Sequence, residues 1–390
     1  MTTAPAASGR RPALVALASL CVAAILAGCG FFSNAPLPST ALPSLGIDSS
    51  PDAVTPAPTS RPVRSIALIA DVGESEAGTA SALAWKGVQW VATDLGAASS
   101  MKIPKSAREL WNEVQAAATT GATVVVTVGA DAGAATRTAA LANPSVEFFA
   151  LDQPIADGAP GNLHVIVFDE SEMGYLAGVI AASLSRTGSV GLVGDENSDT
   201  ATENYAAGFR NGARLANPAA VVALANAGSP DDPAKGRAAV ASLIAGQADV
   251  VAAILDVSGI GAMREACARN ALVIALDTDA WLLAPDVRPC LAASVLKLYD
   301  VEIVAAILLY ARGGGVAGSL LGDAAAGGIG LTDFHVFEPA TLTDLLKRVT
   351  GDMRAGPPRP TAAPPSTATA APATSSPTSW SSLTTAPRPS

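Results

Sequence analysis

The chain contains very little histidine and cysteine, and this scarcity limits the chemistry it can carry. Only 2 His and 4 Cys occur in 390 residues. The cysteines never form a CxxC pair, and neither His164 nor His335 has a metal-ligand partner at a useful spacing. A structural zinc site needs about four such ligands close together. The sequence therefore predicts no metal site, and no motif in it indicates a cofactor.

Charged residues are also scarce, and basic residues are fewer than acidic ones. Charged residues make up 15% of the chain, with 24 Lys and Arg against 34 Asp and Glu, for a net charge of −10. Binding to nucleic acid requires a dense basic surface, so no nucleic-acid partner is expected. Hydrophobic residues make up 49%, enough for a large core, and the length predicts two or three domains.

Residues 1–28 have the pattern of a lipoprotein signal peptide. Arg10 and Arg11 precede the uncharged run ALVALASLCVAAILA, which is short for a membrane span. The segment ends in LAGC, which resembles a bacterial lipobox, in which the thiol of Cys29 would be lipidated after cleavage before it. An uncleaved anchor helix is the alternative. In both cases the rest of the chain is expected on the extracytoplasmic face of the cell membrane, held there by its N-terminus.

Two segments rich in Pro, Ser, Thr and Ala flank the part of the chain that can fold. Residues 29–62 are predicted to be a disordered tether, and residues 355–390 a disordered tail. Between them lie Cys267 and Cys290, which would face an oxidising compartment. A disulfide between these two cysteines and two separate buried thiols are both compatible with the sequence.

Within residues 63–354, continuous apolar runs alternate with amphipathic segments. The apolar runs predict strands at 65–70, 122–128, 146–151, 163–168, 189–193, 220–225, 249–255, 272–276 and 291–296. The amphipathic segments predict helices at 77–94, 107–120, 132–142, 170–186, 201–215, 233–246, 260–269, 299–312 and 340–353. Continuous apolar strands are typical of parallel sheets buried on both faces. The alternation predicts a doubly wound α/β fold, and the number of strands predicts two lobes.

An aspartate follows several of these predicted strands. The four acids are Asp71, Asp152, Asp256 and Asp277. Ligands of parallel sheets bind beyond the carboxyl ends of the strands, and a carboxylate there can accept hydrogen bonds from hydroxyls or amines. Capping of the next helix is the alternative role for each acid. Four acids at equivalent places predict one shared binding site.

Two longer stretches resemble a known family. They are FDESEMGYLAGVIAASLSRTGSVGLVGDENSDTATENYAAGFRNGARLANP at 168–218 and LVIALDTDAWLLAPDVRPCLAASVLKLYD at 272–300. GYLAG, the TG-x-VG-x-VG run, GF-x-x-G and the order D-x-D…P…S-x-x-K are similar to the basic membrane protein family of lipoproteins. These are substrate-binding components of ABC importers, and the best understood members bind purine nucleosides. The resemblance covers essentially all of residues 63–354.

The resemblance implies a type I periplasmic binding fold, in which two Rossmann-like lobes with doubly wound parallel sheets are joined by a hinge of crossing strands. Lobe 1 would comprise 63–168 and 298–320, and lobe 2 would comprise 169–297 and 321–354. A small ligand would bind in the cleft between the lobes and favour their closure.

The resemblance also implies that Asp71, Ser81, Gly129, Asp152, Gly259, Asp277 and Lys297 contact the ligand. Asp256 is predicted as a further contact from its place after a strand, although the family has a glycine at that position. Asp277 matches the acid that holds ribose hydroxyls in nucleoside binders, and Lys297 would balance the charge of the neighbouring acids. Ala80 and Pro230 stand where the family has base-stacking aromatic residues, and Ser81 replaces an asparagine that reads the base. Trp85 or Trp281 could supply a replacement ring, with packing in the core as the alternative.

These features predict a lipid-anchored, monomeric receptor that delivers a solute to the permease and ATPase components of an ABC importer. The ligand would be a nucleoside or another small metabolite with hydroxyl or amine groups. One alternative is an exported lipoprotein scaffold whose pocket has decayed. A less favoured alternative is an α/β enzyme that uses cleft carboxylates such as Asp277 and Asp279. Since neither a GxSxG nor a phosphate-loop motif occurs, the sequence predicts that the chain is not an enzyme.

Overall fold

A computed structural model describes residues 61–74, 76–153, 158–194, 200–314, 318–336 and 338–355. The predicted signal peptide, the lipidation site at Cys29, nearly all of the predicted tether and nearly all of the predicted tail lie outside these ranges. Within the described ranges, no helix is both long enough and apolar enough to span a bilayer.

The described residues form twelve strands in two six-stranded sheets. The strands are β1 (Ser65–Ile69), β2 (Ala98–Lys102), β3 (Val124–Val128), β4 (Glu147–Leu151), β5 (Leu163–Phe168), β6 (Ser189–Gly194), β7 (Val221–Asn226), β8 (Val250–Ile254), β9 (Leu272–Asp277), β10 (Leu291–Lys297), β11 (Gly318–Gly322) and β12 (Ile329–Leu331). Sheet A has the order β11-β5-β4-β3-β1-β2, and sheet B has the order β12-β10-β9-β8-β6-β7. All neighbouring strands are parallel except the pair of β10 and β12.

Ten α-helices occur in the described ranges. They are α1 (Ala80–Leu95), α2 (Ala107–Thr119), α3 (Gly133–Ala142), α4 (Glu170–Leu184), α5 (Thr200–Ala216), α6 (Pro233–Ala245), α7 (Val257–Ala268), α8 (Ala280–Leu283), α9 (Tyr299–Ala311) and α10 (Ala340–Ala355). Several begin at side chains that accept hydrogen bonds from the first turn. Ser106 accepts from the amide of Glu109, and Asp232 accepts from the amides of Ala234 and Lys235. Such caps stabilise a helix by about 1 kcal/mol each.

The central strands are apolar throughout because helices cover both faces of each sheet. All five residues of β3 and of β8 are buried. Apolar clusters lie on both faces of sheet A and on both faces of sheet B. The predicted α/β fold with two doubly wound sheets is confirmed. Three strands were not predicted: β2 is polar and exposed at the sheet edge, β11 begins and ends with glycine, and β12 has only three residues.

The chain passes between the two sheets at three places. It leaves sheet A after Phe168, returns from sheet B after Lys297, and runs from β11 in sheet A to β12 in sheet B. These crossings lie near the predicted ones. β11 continues to Gly322, two positions beyond the end predicted for that part of lobe 1. The lobe boundaries stay a prediction.

Helices α4 and α5 pack against each other with their backbones in contact. A Cβ on Gly174 would lie 2.2 Å from the carbonyl oxygen of Tyr205, and one on Gly208 would lie 1.9 Å from that of Ser171. Only glycine permits so close an approach. The pair forms one layer beneath sheet B and fixes the position of Tyr205, which is 1% exposed.

Cys267 and Cys290 form a disulfide with their Cα atoms 5.6 Å apart. Cys267 lies near the end of α7, and Cys290 directly precedes β10. Of the two states compatible with the sequence, the structure therefore has the bridged one. Closing a loop of this length restricts the unfolded chain and stabilises the fold by about 3 kcal/mol.

Candidate functional site

The predicted site acids lie at or just after the carboxyl ends of strands. Asp152 directly follows β4 in sheet A, and Asp277 is the last residue of β9 in sheet B. Both have a positive φ, 59° for Asp152 and 84° for Asp277. This conformation is uncommon for residues other than glycine. Each strand therefore turns sharply at its acid.

Lys297 lies between these two acids and links the two sheets. It is the last residue of β10 in sheet B and is 4% exposed. Its Nζ atom donates to both carboxylate oxygens of Asp152, at 2.9 and 3.2 Å, and lies 3.7 Å from Oδ2 of Asp277. Lys297, Asp152 and Asp277 are thus brought together across the two sheets.

Two tyrosines that were not predicted complete this cluster. Tyr299, the first residue of α9, donates its hydroxyl to Oδ2 of Asp152 at 3.0 Å. Tyr205 of α5 donates its hydroxyl to Oδ1 of Asp277. Both side chains are almost fully buried. A buried tyrosine needs a hydrogen-bond partner for its hydroxyl. The helical periodicity of the sequence places both tyrosines on buried faces, and this was the available indication that each has a polar partner.

The charges of the cluster compensate one another. Burial lowers the pKa of Lys297, but the charges of Asp152, Asp277 and Glu170 outweigh it and raise this pKa above its ordinary value. Burial raises the pKa of Glu170, and the positive charge of Lys297 opposes that shift. The pKa values of Tyr205 and Tyr299 are raised, first by burial and then by the neighbouring acids. Both tyrosines therefore remain hydrogen-bond donors.

A second group of predicted residues lies at the end of β1. The amide of Asp71 donates to Oγ of Ser81 at 3.0 Å, and that hydroxyl donates to Glu74 at 2.6 Å. A Cβ on Gly129 would lie 2.2 Å from Oδ2 of Asp71, so the two predicted residues are neighbours. Burial raises the pKa of Asp71 to about 6, opposed by the amide of Val72 and reinforced by Glu74 and then Asp131.

Asp256 and Gly259 are engaged with each other at the start of α7. Asp256 is the N-cap, and its Oδ1 accepts a hydrogen bond from the amide of Gly259. The sequence was compatible with ligand binding or with helix capping by Asp256, and this contact is a helix cap. Ligand binding by Asp256 and Gly259 stays a prediction.

The tryptophans considered as stacking rings pack elsewhere. Trp281 stacks on His335, with ring centroids 4.1 Å apart, and the guanidinium of Arg288 lies 4.8 Å from its centroid. Trp85 packs against the apolar cluster under sheet A. Ala80 is the first residue of α1, and the carbonyl of Pro230 accepts from the amide of Ser258. The contacts of both tryptophans are those of packing in the protein body.

The histidines are likewise engaged outside the cluster. His164 pairs with Glu147 at 2.7 Å near the amino ends of β4 and β5, whereas the cluster is at the carboxyl end of β4. Across the described ranges, no group of three or more His, Cys, Asp or Glu residues is arranged to hold a metal ion.

The fold resembles those of solved solute-binding proteins. An ABC transporter solute-binding protein from Conexibacter woesei superposes with a TM-score of 0.62 at 22% identity, covering 76% of this chain and 98% of that one. At this identity the similarity establishes the fold, and it confirms the predicted type I periplasmic binding architecture.

Curated relatives match part of the chain. Basic membrane protein A of Borreliella burgdorferi is 30% identical over 153 residues, 38% of this chain and 45% of that protein. The ABC transporter nucleoside-binding protein BmpA of Lactococcus lactis is 33% identical over 152 residues, 39% of this chain and 42% of that protein. The match thus spans less than half the length of each of these two relatives.

A family match extends over most of the globular part. Residues 67–352 match the family described as ABC transporter substrate-binding protein PnrA-like. This family consists of substrate-binding proteins and not of enzymes, as the sequence predicted. The two sheets, the acids at their strand ends and the extent of this match lead to one assignment: the chain belongs to the Bmp family of PnrA-like ABC transporter substrate-binding proteins.

Proposed function

We propose that the chain is a lipid-anchored, extracytoplasmic solute receptor of an ABC importer, with its binding site between the two sheets. The observation that supports this most directly is the contact of Lys297 with Asp152. Lys297 ends a strand of sheet B and Asp152 directly follows a strand of sheet A, yet their charged groups lie 2.9 Å apart. A ligand bound beside this pair contacts both lobes at once and can therefore favour their closed arrangement.

The proposed ligand is a nucleoside or another small metabolite that bears hydroxyl or amine groups. Asp71, Asp152 and Asp277 are acceptors for such donors at the strand ends, and hydrogen bonds to charged groups contribute about 1.5–3 kcal/mol each. Base stacking contributes roughly 1–3 kcal/mol for each ring. Ala80 and Pro230 offer no such ring, so the proposal places most of the recognition on the hydroxyl or amine groups.

The proposed partners are the permease and ATPase components of the importer, with the receptor acting as a monomer.

The proposed anchor is a lipid on Cys29, in the part of the chain outside the described residues. Replacing Cys29 with serine should release the protein from membranes and abolish incorporation of labelled fatty acid. Continued membrane association without labelling would support the uncleaved anchor helix instead.

Thermal unfolding in the presence of nucleosides, pentoses, polyols and amines tests the binding function, because a bound ligand raises the melting temperature. We expect at least one compound to raise it for the wild type and none to raise it for Asp277→Ala. The variant should stay folded, since Lys297 keeps its contact with Asp152.

The matched control is Asp94→Ala, which removes an exposed aspartate on α1 and should keep the full shift. Undiminished binding by Asp277→Ala would contradict the assigned site. Turnover of a compound in the panel would support an enzyme, and the absence of any shift would support a scaffold whose pocket has decayed.

A further inference from the structure

A buried carboxyl group lies where the chain crosses between the sheets. Glu302 is on the first turn of α9, immediately after the crossing at Lys297, and is 6% exposed. Asp323 directly follows β11, at the start of another crossing, and is 7% exposed. Burial of this kind favours the neutral form of a carboxyl group.

Backbone hydrogen bonds join the three crossings to one another. The amide of Asp169 donates to the carbonyl of Gly322 at 3.1 Å. The amide of Leu298 donates to the carbonyl of Gly328, and the amide of Gly328 donates to the carbonyl of Asp323, both at 2.8 Å. The segments that connect the lobes therefore form one packed unit, and its packing must change when the lobes move relative to each other.

Glu302 is in direct contact with this unit. A Cβ on Gly328 would lie 2.6 Å from Oε1 of Glu302, and a Cβ on Gly322 would lie 3.1 Å from its Cγ. The aromatic ring of Phe168 also lies against Gly322, with Cδ1 2.9 Å from the same Cβ position. Little space is left for the water that an ionised carboxylate requires.

The charged groups around Glu302 offer it no compensation. Asp323 accepts from the amide of Ala326 at 2.7 Å, and Glu172 of α4 accepts from the amide of Ala324 at 2.8 Å. Lys297 of β10 is held by Asp152. Asp300 of α9 pairs at 3.0 Å with Lys86 of α1, the helix that packs against α9. The other ionisable residues of α4 and α9 are Glu170 and Tyr175, and Tyr299 and Tyr310. Among the described residues, no ion pair joins Glu302 to a cation.

We propose that Glu302 and Asp323 make the hinge sensitive to protons. With Glu302 protonated, the crossings stay packed as described. When Glu302 ionises beside Asp323, the crossings separate and water reaches the carboxylate, so the lobes open more readily. In agreement with this geometry, burial, reinforced by Asp323, raises the pKa of Glu302 to about 7. The extracytoplasmic pH would then regulate closure, whichever solute the cleft binds.

Hydrogen–deuterium exchange of the full chain tests the proposal without a ligand. A raised pKa favours the packed state at low pH, and this preference is lost as the pH rises to the raised value. After correction for intrinsic exchange, protection of the Leu298 and Gly328 amides should fall by up to tenfold per pH unit between about 4.5 and about 7. Above that range it should level off, and amides of β3 should show no such fall.

Two variants and one control complete the test. Glu302→Gln imitates the protonated acid and should keep its protection over the whole range. Asp323→Asn removes the like charge, so the fall in amide protection should be smaller and should end at a lower pH. The control, Asp94→Asn, should behave as the wild type does. Constant protection in the wild type, or an unchanged fall in Glu302→Gln, would overturn the proposal. If Glu302→Gln does not fold, an unchanged fall in Asp323→Asn would overturn it as well.

Discussion

Sheet A has a partly buried acid with a hydrogen-bonded partner near each of its two ends, and the two groups differ in what they connect. At the carboxyl end of β4, Asp152 bonds to Lys297 of sheet B and to Tyr299. At the amino end, Glu147 pairs with His164 at 2.7 Å, within the same sheet. The ring of His164 lies 5.8 Å from that of Tyr310, and Arg61 lies 5.0 Å from the Tyr310 ring centroid.

The amino-end group lies within one sheet, whereas the carboxyl-end group joins residues of both sheets. Glu147 and His164 lie on neighbouring strands, and Tyr310 is on α9, which packs against sheet A. The contacts of the amino-end group therefore do not depend on how the two sheets are arranged. The contacts of Lys297 depend on the arrangement of both sheets. Burial of charge by itself does not indicate a functional site; the Lys297 cluster is distinguished by containing residues of both sheets.

The largest expected effect is on stability, from Lys297→Met. Removing one partner of a buried ion pair leaves the other charge uncompensated and typically costs about 3–5 kcal/mol. Lys297→Met should therefore lower the free energy of unfolding by about that amount, measured by urea denaturation, and should abolish binding of any ligand found by thermal shift.

The matched control is Lys86→Met, because Lys86 pairs with Asp300 at 3.0 Å but its side chain is 74% exposed. An exposed pair contributes at most about 1 kcal/mol. Equal losses in the two variants would contradict the distinction between a buried linking cluster and an ordinary surface pair.

A second prediction uses pH, because acids at the two ends of sheet A respond with opposite signs. Asp71 has a pKa raised from 3.8 to about 6, chiefly by burial. Its contribution to stability is present below its ordinary pKa and is lost as the pH rises to about 6. As the pH rises to about 6, the free energy of unfolding of Asp71→Asn should therefore increase by about 1–2 kcal/mol relative to that of the wild type. This figure allows for the partial exposure of Asp71.

The opposite sign is expected for Glu147→Gln. Burial of Glu147 raises its pKa, but the hydrogen bond and charge of His164 outweigh this, so its pKa is lowered from 4.5. Glu147 therefore stabilises the fold above that pH and loses this contribution on acidification. Urea midpoints at about pH 4 and about pH 7 compare the two variants. If the stability of both variants relative to the wild type changed in the same direction with pH, the two ends would be electrostatically alike.

The smallest expected effect is that of Tyr310→Phe at the amino end. Burial and the neighbouring Glu147 raise the pKa of Tyr310 to about 12, so its hydroxyl stays protonated as a donor. Loss of this hydroxyl should cost about 1 kcal/mol in unfolding free energy, with ligand-induced thermal shifts unchanged. Weakened ligand binding would contradict the separation of the two groups.

The sequence predicted the fold well wherever burial imposed a clear pattern. Continuous apolar runs identified β3 and β8, and amphipathic periodicity identified α4 and α9 with ends within two residues. β2 was not predicted because its sequence, ASSMK, is exposed at a sheet edge and contains no apolar run. Edge strands take their pairing from the neighbour, here β1, and not from a pattern of their own.

The site was predicted in part, for a comparable physical reason. The positions of Asp152 and Asp277 follow from the rule that ligands bind at the carboxyl ends of parallel strands. Tyr205, Tyr299 and Glu302 lie within helices, where their spacing is that of ordinary core-facing positions. Only the packing of distant segments determines which partners they meet, and one sequence does not contain that information.

The glycine contacts between α4 and α5 have a mechanical consequence. α4 starts directly after the crossing at Phe168, and Gly174 and Gly208 leave no side chain between the two helices that could absorb a displacement. A rotation at that crossing would therefore move both helices together with sheet B, beneath which they pack. Because the hydroxyl of Tyr205 bonds to Asp277 of that same sheet, the acid keeps this partner during the rotation.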